Sequence, residues 1–174
     1  GAAAVLVASK EYCEKHGLKL HLDGARLFNV LVETNESTEA VGELFDSISI
    51  CLSKGLGAPV GSLLIGNQDD LRLARRFRKV MGGGMRQAGY LAAAGIYALD
   101  HHIDRLKIDN DRAKEIGALL ETLDFVASVR PVKTNIVIFD LEPPISSATM
   151  VEKLKTMGIE CVAFGPRTIR FVFH

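Results

Sequence analysis

Two stretches decide the fold: Lys19-Leu-His-Leu-Asp23, which runs into Gly24-Ala-Arg26, and Ser47-Ile-Ser-Ile-Cys-Leu52, which runs into Ser53-Lys-Gly-Leu-Gly57. Each is a short β-type run closed by a glycine-containing turn, and Val60 to Ile65 forms a third. Their near-continuous apolar character predicts strands covered on both faces, as in α/β proteins. In open α/β sheets ligands collect beyond the carboxyl ends of the strands. Asp23 and Lys54 both follow strand ends, so a carboxylate and a primary amine are expected at one crevice.

Helical patterns surround these strands. Ala3 to His16 carries Val5, Leu6 and Tyr12 among helix formers and stops at Gly17, a C-terminal glycine after a basic last turn. Asp69 to Val80 predicts a charged helix, Met81-Gly-Gly-Gly-Met-Arg-Gln87 interrupts it, and Ala88 to Leu99 resumes with small residues. Asp104 to Leu123 predicts an amphipathic helix with Leu106, Ile116, Leu119, Leu120 and Leu123 buried. After it the pattern becomes strand (Ile136 to Leu141), a Pro143-Pro144 turn, helix (Ser147 to Met157) and strands near Ile159 and Ile169. That is a small α+β unit, so the division expected is 1–103 and 104–174.

Composition narrows the function classes. With 48% apolar residues the chain can bury a sizeable core. Its 21 basic and 21 acidic residues cancel, so no global field favours nucleic acid or an anionic membrane. Cys13, Cys51 and Cys161 are odd in number and lack CxxC spacing, which argues against a disulfide framework or a cysteine zinc site. A reducing setting is expected: the cytoplasm, with the mitochondrion as the alternative. No apolar stretch approaches bilayer length, so no membrane partner is expected. The chain starts without methionine, inside a helical pattern, and is expected to be a piece of a longer protein.

The amine and carboxylate suit one cofactor chemistry in particular. Pyridoxal phosphate (PLP) requires a lysine to bond its aldehyde and an acid that keeps its pyridine nitrogen protonated. Three motifs make the match more specific: His21-Leu-Asp-Gly-Ala-Arg26, Ser53-Lys-Gly-Leu-Gly-Ala-Pro-Val-Gly61 and Gly82-Gly-Gly-Met-Arg-Gln87. In order and spacing they resemble the core of low-specificity L-threonine aldolases, a family of fold-type-I PLP enzymes. The resemblance implies a PLP-binding large α/β domain, represented by its C-terminal part, followed by a linking helix and small α+β domain. It implies that Lys54 bonds the cofactor, that Asp23 meets the pyridine nitrogen, and that Arg26 faces the substrate carboxylate. It matches Arg170, in Ile169-Arg-Phe-Val-Phe-His174, to the arginine that grips this carboxylate, although relatives usually carry threonine where Phe173 stands. Lys79 and Arg86 fall where the family places basic residues near phosphate and substrate, Arg86 reaching into a neighbouring subunit. The implied reaction is cleavage of threonine or allo-threonine to glycine and an aldehyde, in a homo-oligomer that is a dimer or tetramer. Further cofactor contacts, including the histidine that stacks on the ring, belong in the family to residues preceding this segment. The alternatives are another fold-type-I lyase or aminotransferase, and a non-catalytic fragment that keeps the fold and an oligomer surface.

Taken singly, the same residues have plainer readings. A lone lysine in a loop is an ordinary solvated side chain, and Asp23 alone could be a helix N-cap. Arg72, Arg75, Arg76 and Lys79 line one helix face, a pattern that is usually solvated or meets a partner subunit. Triple glycine is a phosphate-cradling nest or a simple hinge. His21 and Asp23 share a strand face, but two residues do not make a metal site. Cys51 is read as strand filler.

Overall fold

Between Leu18 and Gly66 the chain folds as a three-stranded sheet, β1 (His21–Asp23), β2 (Ser47–Cys51) and β3 (Ser62–Gly66), in the order β1-β2-β3. β1 and β2 are parallel, Asp23 opposite Ser49, and β3 returns antiparallel with Ser62 opposite Cys51. Ile48 and Ile50 are the buried strand residues here, alternating with Ser47, Ser49 and Cys51 on the other face. The period of two explains the alternation. The expectation of strands covered on both faces is therefore corrected: Leu63, Leu64 and Ile65 of β3 all stand exposed.

This computed structural model describes residues 2–174, with side chains from Val5 onward, and separates into two compact units at Ile103/Asp104. In the first, α1 (Ala2–Lys15) ends at Gly17, where the Leu18 amide donates back to Cys13 (2.8 Å) and closes the last turn. α2 (Leu27–Thr34) and α3 (Thr38–Gly42) fill the crossover between the parallel strands and are absent from the sequence reading. α3 is capped by the Ser37 hydroxyl, which accepts from the Ala40 amide. α4 (Gln68–Val80) starts at Asn67, whose side chain accepts from the Asp70 amide, and has acids in its first turn and bases in its last. The glycine segment follows it, and α5 (Gly89–His101) completes the unit.

The second unit is built around α6 (Leu106–Leu120) and a four-stranded antiparallel sheet of β4 (Val126–Val129), β5 (Ile136–Leu141), β6 (Val162–Ala163) and β7 (Thr168–Val172), in the order β4-β5-β7-β6. α7 (Ser147–Thr156) lies between β5 and β6 in sequence and is capped by Ser146. Ala113 and Leu120 pack with Val137, Phe139, Leu141 and Ile169 into a closed core. Each large apolar side chain so buried contributes about 1.5–3 kcal/mol. The buried stripe of α6 runs Leu106, Asp109, Asn110, Ala113, Gly117, Leu120. Leu119, expected inside, is exposed instead, because that stripe takes polar and small residues where hydrophobicity alone pointed elsewhere. Met157 is likewise exposed, beyond the last turn of α7.

Candidate active site

The parallel register of β1 and β2 brings two turns to the same end of the sheet. Asp23 closes β1, and its carboxylate accepts from the Ala25 amide at 3.1 Å, which braces the turn into α2. The Gly24 amide donates to the Ser49 carbonyl at 2.8 Å. A Cβ on Gly24 would lie 2.7 Å from that oxygen, so only glycine permits this approach of the two chains. Arg26 stands at the N-cap of α2 with half-buried surroundings.

Lys54 sits half-buried in the turn that follows β2. The Gly57 amide donates to the Lys54 carbonyl at 2.8 Å, and Gly57 has φ +72°, which closes the turn in a conformation that favours glycine. Leu52, Leu56 and Ala58 are buried beneath it, and Leu52 ties both ends of the loop: its amide donates to Gly61 and its carbonyl accepts from Ala58, each at 3.0 Å. His102 supplies a further tie. Its Nδ1 lies 2.6 Å from the Leu56 carbonyl, and because a carbonyl only accepts, Nδ1 must carry the proton. The lysine therefore stands on a loop pinned from three directions, as a group that must meet a partner in one orientation requires.

His21 is on the same strand face as Asp23 and bonds Ser47 on β2 (Nδ1 to Oγ, 2.8 Å). Upstream of β1, Asp46 accepts from the Leu20 amide at 2.8 Å and pairs with Lys19 (3.3 Å) and Lys10 (3.6 Å). The Leu20 amide, with help from the lysines, holds the Asp46 carboxyl below the usual carboxylate range. Sequence reading missed His102 and Asp46 because both act by tertiary bonds to backbone groups far away in sequence. The β-type runs on either side were the only signal near Asp46.

The remaining candidates lie elsewhere. Lys79 is exposed in the last turn of α4, and the glycine segment folds back over that turn through Gly82 and Gly83, whose amides donate to the Lys79 and Arg78 carbonyls at 3.2 and 2.8 Å. Arg86 is exposed just before α5. Among the described residues, no hydrogen bond or ion pair joins either of them to Asp23 or Lys54. Arg170 belongs to the second unit: it faces Ile138 on β5 and Val162 on β6, with its guanidinium carbon 6.0 Å from the centre of the Phe164 ring. Asn135, wholly buried, holds the end of that strand, accepting from the Phe173 amide (2.9 Å) and donating to its carbonyl (2.8 Å).

The sequence model of the beta-eliminating lyases matches residues 2–143. The chain belongs to the beta-eliminating lyase family. Within that family its kin are low-specificity L-threonine aldolases. It is 37% identical over 167 residues to low-specificity L-threonine aldolase 1 of Arabidopsis thaliana, covering 94% of this chain and 47% of that protein. It is 53% identical over 103 residues to the low specificity L-threonine aldolase of Escherichia coli K12, covering 59% and 31%. The solved threonine aldolase of Leishmania major superposes with TM-score 0.74 over 97% of this chain and 50% of that one, at 24% identity, a likeness of fold. The architecture is thus the α/β fold-type-I arrangement with a C-terminal α+β subdomain. The chain spans about half the length of the curated relatives it matches.

Proposed function

We propose that the lyase family's PLP chemistry applies to this protein: it cleaves β-hydroxy amino acids, L-threonine and L-allo-threonine, to glycine and an aldehyde. The observation that carries this reading is the parallel β1–β2 pair, which ends in a carboxylate on one strand and a loop-braced lysine after the other. The donor set fits the cofactor. Asp23 is an anionic acceptor for a protonated ring nitrogen, Lys54 is a primary amine for an aldehyde, and the Gly24–Ser49 contact closes the turn between them without a side chain. When bound, PLP supplies an electron sink for the charge left on Cα as the Cα–Cβ bond breaks.

The chain's own residues hold and orient. Asp23, itself oriented by the Ala25 amide, keeps the ring-nitrogen proton in place. Lys54 would hold the cofactor through its primary amine. Arg26 offers a planar fork that binds a carboxylate bidentately, and the second unit carries a guanidinium of the same chemistry at Arg170. An arginine fork on the substrate carboxylate would fix the substrate's orientation, a positional contribution. Lys79 and Arg86 are proposed for the phosphate and substrate, with Arg86 serving a neighbouring subunit of a homodimer or homotetramer.

Adding PLP and reducing with borohydride tests the assignment directly. The expected result is a visible absorption band and, after reduction, one pyridoxyl group on the peptide containing Lys54, lost in Lys54→Ala. A label on any other lysine, or none, would remove the basis of the reading. Glycine release from L-threonine and L-allo-threonine then tests the reaction separately from cofactor attachment.

A further inference from the structure

Phe164 stands in the open, 55% exposed, one residue beyond the short strand β6. Its amide donates to the Thr168 carbonyl at 2.8 Å, which keeps it in register with β7. Side chains alternate along a strand, so the two faces of this sheet differ. Val137, Phe139, Leu141 and Ile169 point into the core, and Ile136, Ile138, Asp140, Thr168 and Arg170 point the other way. Val162 of β6 is opposite Arg170, so Phe164, two residues on, is the diagonal neighbour of Arg170 on that outer face. A diagonal pair is within reach of aromatic and long side chains. The guanidinium carbon lies 6.0 Å from the centre of the Phe164 ring, the range of a cation–π contact.

Two further features maintain the pair. The turn after Phe164 is anchored by Ser147, a buried residue whose hydroxyl donates to the Gly165 carbonyl at 2.6 Å and whose amide donates to the Pro166 carbonyl at 2.9 Å. The ring is therefore presented by a backbone with little freedom. On the other side of the pair, the acid that could claim the guanidinium is already engaged. Asp140 faces Thr168 across the β5–β7 pair; one of its carboxylate oxygens accepts from the Thr168 hydroxyl and the other from the Ser128 hydroxyl at 3.3 Å. Among the described residues no ion pair joins Arg170 to an acid. An aromatic face steadies a guanidinium without occupying its N–H donors, which a carboxylate would occupy. Arg170 is thus held and still able to bind.

We propose that Phe164 is a positioning residue for carboxylate recognition: its ring seats the Arg170 guanidinium and leaves the planar fork open to the carboxylate of an amino acid. The proposal deepens the reading of Arg170 as that grip and rests on it. An aromatic ring, and not apolar bulk alone, is then required at this position.

Phe164→Leu removes the π face and keeps an apolar side chain, Phe164→Tyr keeps the ring, and circular dichroism verifies that each variant folds. The first readout needs no cofactor: the nitrogen–proton NOE of the Arg170 Nε–H group, assigned by its disappearance in Arg170→Ala. It is expected to report a restrained side chain in the wild type and in Phe164→Tyr, and a mobile one in Phe164→Leu. The second readout is the dissociation constant of glycine from the PLP-loaded chain, read from the change in the cofactor's visible band. Phe164→Leu is expected to raise it about threefold, Phe164→Tyr to leave it unchanged, and Phe164→Leu added to Arg170→Ala to change nothing further. An Arg170 side chain equally mobile with and without the ring would overturn the proposal. So would a Phe164→Leu effect that survives in the Arg170→Ala background, or one that Phe164→Tyr also produces. If Arg170→Ala leaves glycine binding at the wild-type level, Arg170 is not the carboxylate grip and the proposal falls with that reading. Failure of the Phe164 variants alone leaves the reading of Arg170 standing.

Discussion

The two units are held together in different ways. In the second unit, Val137, Phe139, Leu141 and Ile169 are at most 1% exposed and close a core between helix and sheet. In the first, the strand ends that carry Asp23 and Lys54 are held mainly by polar ties: Gly24 to Ser49, His102 to Leu56, Asp46 to Leu20. Burial is non-directional and stabilises a unit as a whole. Hydrogen bonds to particular backbone groups fix orientation, the property a reactive site needs. The difference teaches that the second unit is organised for stability and the end of the first for position.

The largest test of this contrast is Phe139→Ala. Phe139 packs edge-on to Phe171, their ring centres 5.1 Å apart, and sits among the buried residues of the sheet. Its truncation is expected to cost about 3–5 kcal/mol. Hydrogen exchange should find the loss in the amides of residues 104–174, while PLP attachment at Lys54 persists. Equal loss of protection in β1 and β2 would mean that the division between stability and position is wrong.

Gly24→Ala attacks the other side of the contrast. The new methyl would press on the Ser49 carbonyl, a backbone atom with little freedom to move, and overpacking of this kind costs about 1–3 kcal/mol. The expected signature is positional: borohydride labelling of Lys54 falls, while the exchange rates of the second unit are unchanged. Labelling at the wild-type level would show that the β1–β2 approach has no part in aligning the site.

How far the sequence disclosed all this depends on the range of the forces involved. The strand-end positions of Asp23 and Lys54 were legible because both the strand pattern and the turn glycines are local. The buried leucines of α6 were legible in part, Leu106 and Leu120 correctly, because helical period marks a face. Asp109 and Asn110, buried on that same face, defeat a reading based on hydrophobicity, and Leu119 drew it outward. β4 and the short helices α2 and α3 escaped because their patterns are brief and their stability comes from packing. The pins His102, Asp46 and Asn135 were not legible at all, since a side chain bonded to a distant backbone group leaves no period in the sequence. On α4 the sequence disclosed the basic residues Arg72, Arg75, Arg76 and Lys79; that Leu73, Phe77 and Val80 stand exposed emerged only once the helix had a side turned to β3.

The smallest effect concerns Asp46, and its sign follows from the carboxyl's lowered pKa. The Leu20 amide and the two lysines favour the charged form in the folded chain, so the folded pKa lies below the unfolded value of about 3.9. A group depressed in this way adds stability above the unfolded pKa and loses it as the pH falls through the folded one. Asp46→Asn is therefore expected to lower the stability of the first unit at neutral pH. Wild type and variant should converge at acidic pH, where the native carboxyl is protonated too. Raising salt at neutral pH should shrink the part of the gap due to Lys10 and Lys19, which is screened, and spare the part due to the Leu20 amide. A gap that vanished entirely in salt would assign the tie to the lysines alone. A gap that persisted undiminished would assign the tie to the Leu20 amide ahead of β1.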